Sequence, residues 1–198
     1  MKKIIITGTS QGVGLGIALK CLEENDQVFA CMRNVDSAPD ELKSAISEKN
    51  NGSMIIKMDV TEDASVQTAI NEILNNTDSI DTIINNAGTF HEEAFEKASI
   101  DSIKRVFETN FYGPIRTMQA ILPQFRKQKY GHIINVTSAA VDVTPPMQSA
   151  YTASKTALDG ISRSMSMEVD DHGIAVSAVE FGRIATNLVP NFMKQITL

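Results

Sequence analysis

Two kinds of hydrophobic pattern alternate along this chain. Short apolar runs rich in β-branched residues occupy 3–7, 28–32, 54–58, 80–84, 132–136 and 174–179, and these predict strands. Between them lie stretches whose apolar positions return every three or four residues, at 14–24, 40–48, 63–75, 100–127 and 150–170. These predict helices, with Thr61 as an N-cap and Gly173 as a C-terminal stop. Repeated strand–helix–strand units impose parallel pairing and right-handed crossovers, so the expected class is α/β with an open, doubly wound parallel sheet. No linker, repeat or low-complexity stretch divides the 198 residues, and a single domain over 1–198 is expected.

Composition narrows the partners. A formal net charge of -6 with scattered Lys and Arg leaves no clustered basic face for nucleic acid or an anionic membrane. Lys2 and Lys3 precede an apolar run far shorter than the roughly 7–15 residues of a signal-peptide core. No stretch reaches the roughly 18 apolar residues of a membrane span. Cys21 and Cys31 lack metal or CxxC spacing and read as reduced thiols, and a cytoplasmic protein is expected. None of the three histidines has metal-site spacing, and His132 and His172 read as structural.

The first strand runs straight into Thr7-Gly8-Thr9-Ser10-Gln11-Gly12-Val13-Gly14, after which helical periodicity begins. In that position Gly8 permits a tight turn, Gly12 lets the backbone approach a pyrophosphate, and Gly14 lets the helix pack closely while its N-terminus faces the anion. The turn therefore predicts a dinucleotide site. The second strand ends in Cys31-Met32-Arg33-Asn34, with Met32 where an NAD-binding fold usually places an acid for the ribose 2′-hydroxyl. A 2′-phosphate would instead form a charge-assisted fork with Arg33, which favours NADP(H) over NAD(H). Arg33 as a solvated loop residue is the plainer alternative.

Tyr151 and Lys155 lie four residues apart at the start of a predicted helix, hence on one face. A lysine ammonium close to a tyrosine favours phenolate and makes the hydroxyl a usable general acid/base. Ser138 closes the fifth strand thirteen residues earlier, at the carboxyl end of the sheet where ligands bind.

Together these residues make the chain resemble the short-chain dehydrogenase/reductase family. Thr7-Gly8, Gly12 and Gly14 are similar to its cofactor turn, Asp59-Val60 to its adenine contact, Asn85-Asn86-Ala87-Gly88 to its strand-four motif, and Asn110, Ser138, Tyr151 and Lys155 to its catalytic tetrad. The resemblance implies a Rossmann-like sheet of about six strands in the order 3-2-1-4-5-6. It also implies an oxidoreductase moving hydride between nicotinamide and a carbonyl or alcohol. In that scheme Tyr151 protonates the carbonyl oxygen, Ser138 hydrogen-bonds it, Lys155 binds the nicotinamide ribose, and Asn110 holds a relay water. Plainer roles stay open: Ser138 as a loop cap, Asn110 as support for a helix kink, Asp59 as a turn residue.

The pattern departs from the family near the end. In Glu180-Phe181-Gly182-Arg183-Ile184-Ala185-Thr186 the residues Gly182, Ile184 and Thr186 fit a nicotinamide contact, but Phe181 stands where the family has proline. Twelve residues follow Thr186, so by the resemblance the chain is C-terminally shortened, lacking a substrate lid and a seventh strand. That implies a less covered site, an exposed edge at strand six, and a homodimer through helices 100–127 and 150–170 rather than a tetramer. Thr89, Phe90, Ala140, Val141, Pro145, Pro146, Met147, Phe181 and Arg183 are the expected pocket walls, and they suit a mostly apolar substrate. His91 and Asp142 read as solvated loop residues. A non-catalytic NADP-binding sensor or scaffold is the alternative function. It would need the glycine turn, Arg33 and Asp59 but no activated tyrosine, and retention of all four tetrad residues favours the enzyme.

Overall fold

The computed structural model describes residues 1–182. Six parallel strands form one sheet: β1 (Lys3–Thr7), β2 (Gln27–Met32), β3 (Met54–Lys57), β4 (Thr82–Asn85), β5 (Gly131–Ser138) and β6 (Ile174–Phe181), in the order β3-β2-β1-β4-β5-β6. Helices α1 (Gly12–Glu23), α2 (Asp40–Lys49), α3 (Asp63–Asn76), α4 (Ile100–Phe107), α5 (Gly113–Gln128), α6 (Ala140–Val143) and α7 (Ser149–Val169) make the crossovers. The expected class and strand order are those found.

Both faces of the sheet are buried, which is why its strands read as continuous apolar runs rather than alternating ones. Ile4, Ile6, Val28, Ala30 and Ile84 turn to one side and pack with Ala18, Leu22 and Leu42 of α1 and α2. Ile5, Phe29, Ile56, Ile83 and Ile133 turn to the other and meet Val66, Ile70, Met118, Phe125 and Met165 of α3, α5 and α7. The crossovers reverse between β1 and β4, and at such a switch point the carboxyl ends of the strands open a crevice.

Three local expectations are corrected. Thr61 does not cap α3: its hydroxyl donates to Asp59 Oδ1 at 2.8 Å, and the residue before the helix, Glu62, makes no side-chain cap. The helix expected over 100–127 is two helices, α4 and α5, joined by a π-helical turn at Glu108–Tyr112. α6 was unforeseen, because four residues carry too little periodicity to register. Gly173 does end its segment, at φ 70°, and a Cβ there would meet Lys129 O at 2.5 Å.

Candidate active site

The glycine turn is held from two sides. Gly8 N and Thr9 N donate to Cys31 O at 2.9 and 3.2 Å, and Thr9 Oγ1 donates to the same carbonyl at 3.2 Å. On the β4 side, Thr7 Oγ1 accepts from Asn86 N and Ala87 N, both at 3.0 Å, while Asn86 Nδ2 donates to Thr7 O at 2.9 Å and Gly8 O at 3.2 Å. These bonds use the inner polar groups of the turn and leave its outer backbone facing the crevice. Thr9 is fully buried, so its side chain serves the turn itself. α1 begins with no side-chain cap and no acid in its first turn, so its terminal N–H groups and dipole are free to face an anion.

Gly14 is needed for space. A Cβ there would lie 2.3 Å from both Asn86 Nδ2 and Gly8 O, one of them backbone, so the clash cannot be relieved by a side-chain rotation. Gly14→Ala is expected to lower the unfolding free energy by about 1–3 kcal/mol and to weaken nucleotide binding, as read by urea titration and calorimetry.

The crevice is a cleft of about 1170 Å³ running across the carboxyl ends of β2, β1, β4 and β5. That exceeds the roughly 300–1,000 Å³ of an ordinary small-ligand pocket and gives room for a dinucleotide beside a second small molecule. Gly8, Ser10, Gln11, Gly12 and Val13 line one stretch, and Arg33, Asp59 and Val60 line its far end. Arg33 is exposed and makes no ion pair among the described residues. Asp59 does form a turn, accepting from Thr61 N at 3.0 Å through Oδ1, yet it still borders the cleft. Asn34 is exposed and does not line the cleft, and its Oδ1 accepts from Asp36 N at 3.1 Å.

Asn86 and Ala87 line the cleft beside the glycine turn, and beyond them Gly88 leads to Ser138, Tyr151 and Lys155 at the other end. Lys155 Nζ is drawn beneath the cleft floor, only 4% exposed, and donates to Val136 O at 2.7 Å. Burial lowers its pKa from 10.5 to about 8. The Tyr151 ring meets the edge of Phe90 at a centroid distance of 5.1 Å. Ser138 Oγ accepts from Ala140 N at 3.2 Å, a loop cap that leaves its O–H free to donate. Asn110 sits in the π turn, fully buried, and pairs with the Thr89 backbone in both directions: Oδ1 accepts from N at 2.8 Å and Nδ2 donates to O at 2.9 Å. Its Nδ2 also donates to Ser154 Oγ at 3.1 Å. Asn110 therefore joins α7 and the loop after β4, and a Cβ on Gly88 would lie 3.4 Å from its Oδ1 and 3.7 Å from Lys155 Nζ. Asn110 thus lies within a helix irregularity and near Gly88, the neighbour of Lys155.

Among the expected walls, Thr89, Phe90, Ala140, Pro145 and Phe181 line the cleft and Val141, Pro146 and Met147 do not; Gly182 also lines it, and Asp142 does not. His91 lines it with its ring nitrogen 2.9 Å from Glu93 Oε2. Arg183, Ile184 and Thr186 lie outside the described residues. Several lining residues were missed, Glu92, Thr137 and Val143 among them, and two groups are instructive. The wall of Ser102, Arg105 and Val106 on α4 and Thr109 in the π turn carries a helical spacing that reads equally well as core packing. Gln148, one turn ahead of Tyr151, gives only the weak signal of a polar residue before a helix. Among the described residues no helix is long and apolar enough to cross a membrane.

A family model described as short chain dehydrogenase matches residues 2–197. A fatty acyl-CoA reductase from Acinetobacter baylyi is 31% identical over 95% of this chain, which spans 64% of that protein. Oxidoreductase BOA17 from Botryotinia fuckeliana is 33% identical over 100% of the chain and 72% of its own length. The crystal structure of a short-chain dehydrogenase from Streptomyces avermitilis superposes with a TM-score of 0.87 at 31% identity, over 95% of this chain and 69% of that one. The chain thus spans just under two thirds of the first of these relatives.

Proposed function

Because this chain belongs to the short chain dehydrogenase family, we propose that it is an NADP(H)-dependent oxidoreductase of a carbonyl or alcohol substrate, with Tyr151 as general acid/base. The observation that carries the reading is the convergence of Ser138, Tyr151 and Lys155 with the glycine turn on one cleft. The residues present fit a dinucleotide. The space beside Gly8 and Gly14 that a Cβ would fill, the uncapped α1 N-terminus and the length of the cleft all suit a pyrophosphate flanked by two nucleosides.

In this reading the backbone at Ser10, Gln11, Gly12 and Val13 holds the pyrophosphate, while Gly8 and Thr9, bonded to Cys31 O, and Gly14, packed on Gly8, shape the turn. Arg33 takes the 2′-phosphate and Asp59 and Val60 the adenine, with Asn34 outside the cleft, while Asn86 and Ala87, with Gly88 nearest Lys155, border the sugars and phosphates between the two ends. Lys155 and Tyr151 hold the nicotinamide ribose, and Gly182 borders the cleft beside them. When bound, the nicotinamide supplies or accepts the hydride. Ser138 and Tyr151 donate hydrogen bonds to the substrate oxygen, and Tyr151 delivers or removes the proton there as charge develops. Lys155 sits close enough to its titration point, about 8, to take part in proton relay near neutrality. Asn110, fixed by Thr89 and Ser154, holds the relay water beside it.

The walls formed by Phe90, Ala140, Pro145 and Phe181 suit an apolar substrate, and the acyl group named for the A. baylyi relative is of that kind. A homodimer through α4, α5 and α7 in a reducing cytoplasm completes the proposal. It draws on the exposed Ile100, Tyr112 and Met167 on or beside those helices.

Calorimetric titration with NADPH and then NADH tests the cofactor choice. An Arg33–phosphate contact predicts NADPH tighter by about tenfold to a hundredfold, a margin that Arg33→Ala removes. Equal affinities would take Arg33 out of its role, and binding of neither nucleotide would overturn the site.

A further inference from the structure

Among the polar groups lining the cleft, the Gln148 amide is one that the fold leaves unpaired among the described residues, as it does Glu92 and the Thr137 hydroxyl. Gln148 precedes α7, and its carbonyl accepts from Thr152 N at 2.8 Å, so it already belongs to the helical path and stands one turn ahead of Tyr151. Residues at that spacing have Cβ atoms about 5–6 Å apart on one face. Both line the cleft. The Gln148 side chain is half-buried, caps no helix and has no hydrogen-bond partner among the described residues. The same cleft is lined by apolar Phe90, Val143 and Pro145, by His91, which is engaged with Glu93, and by the carboxylate of Glu92.

The backbone leading into it is constrained. Met147 holds φ 64° and Thr144 φ 44°, left-handed values that side-chain-bearing residues seldom adopt, and a β-branched one least of all. Such conformations persist only where the surroundings dictate them. Here Glu93 N, from the loop after β4, donates to Met147 O at 2.8 Å and clamps the residue just before Gln148. Two loops from opposite sides of the cleft are thereby tied together at the point that sets where Gln148 stands.

Resting on the activity proposed above, we infer that Gln148 is a specificity-determining residue that holds a second oxygen of the substrate, a hydroxyl or carbonyl one or two carbons from the reacting carbon. A primary amide can donate to a carbonyl or accept from a hydroxyl, so it serves either oxidation level. The substrate class that follows is a hydroxy- or keto-carbonyl compound with an apolar remainder, rather than a simple ketone. A site built to hydrogen-bond such an oxygen discriminates against the analogue that lacks it, because the amide is then left unpaired.

The test compares ketone pairs that differ by hydroxyl against methyl. Acetoin is set against methyl isopropyl ketone, and diacetone alcohol against methyl neopentyl ketone, each reduced with NADPH and with NADH by the full-length protein. The wild type is expected to favour at least one hydroxy ketone over its partner by about tenfold or more in kcat/KM. Gln148→Ala erases that preference by raising KM for the hydroxy ketone, and leaves the methyl ketone within about threefold. Gln148→Glu, which keeps acceptors for a hydroxyl, restores part of it. Equal losses on both members of a pair would mark Gln148 as merely structural, and no loss on either would leave it without a role; each overturns the inference alone. Turnover of none of the four by the wild type would overturn the proposed activity and this inference with it.

Discussion

Tyr151→Phe removes one oxygen and is expected to lower kcat by about 10²–10⁴-fold, the usual worth of a positioned acid or base. The ring itself should stay in place. Its edge contact with Phe90, at 5.1 Å between centroids, needs no hydroxyl, and the Ser154 Oγ bond at 2.7 Å goes to the Tyr151 backbone carbonyl. Fold and cleft therefore survive, and NADPH affinity by calorimetry stays within about threefold of wild type. Turnover followed by NADPH absorbance is the decisive reading. Wild-type activity in this variant would sink the assignment of Tyr151, whereas a loss of both turnover and binding would show that the substitution had disturbed the cleft.

Lys155→Met should abolish turnover and, independently, change how stability depends on pH. The ammonium is 4% exposed, and burial brings its pKa from 10.5 down to about 8. Between those two values the unfolded chain keeps a proton that the folded chain has released, so wild-type stability rises with pH across that window. Below about 8 both states are protonated and the folded state carries the full cost of burying the charge, roughly 3 kcal/mol at 1.36 kcal/mol per pKa unit. Methionine has no such cost, but it leaves Val136 O without the bond it accepts at 2.7 Å, a loss of about 1–3 kcal/mol. At pH 7 the variant should accordingly match or exceed wild type in urea unfolding without nucleotide. Its margin over wild type should then fall by roughly 3 kcal/mol as the pH is raised to 10.5. A margin that stays constant with pH would show that the folded protein does not perturb this lysine.

What the chain reveals before folding follows from where the physical cause lies. The strands were legible because a sheet buried on both faces needs uninterrupted apolar runs, and the glycine turn because Gly8 and Gly14 stand where any Cβ would strike backbone. The inward turn of Thr9 was not, since its partner, Cys31 O, belongs to the neighbouring strand. The break between α4 and α5 has the same origin: the groups that hold Asn110 are Thr89 and Ser154, far away in sequence. Gln148 went unread because its significance depends on the Glu93–Met147 clamp, which joins two loops whose approach only the folded chain defines.

The π turn at Glu108–Tyr112 also resolves a matter of phase. Buried positions recur at intervals of four through Ser102, Val106, Asn110, Pro114 and Met118. In a regular α-helix each such interval overshoots a full turn by about 40°, so four of them would swing the buried side nearly halfway round the axis, about 160°. One extra residue in the wide turn takes back about 100° of that drift, and the remainder fits within the width of a buried stripe. The same inward-facing line can then border the cleft along α4 and fill the core along α5. Helix geometry, sheet packing and the seat of Asn110 are thereby one adjustment, so a single-residue deletion in this turn would put the cleft wall and the core out of step with each other.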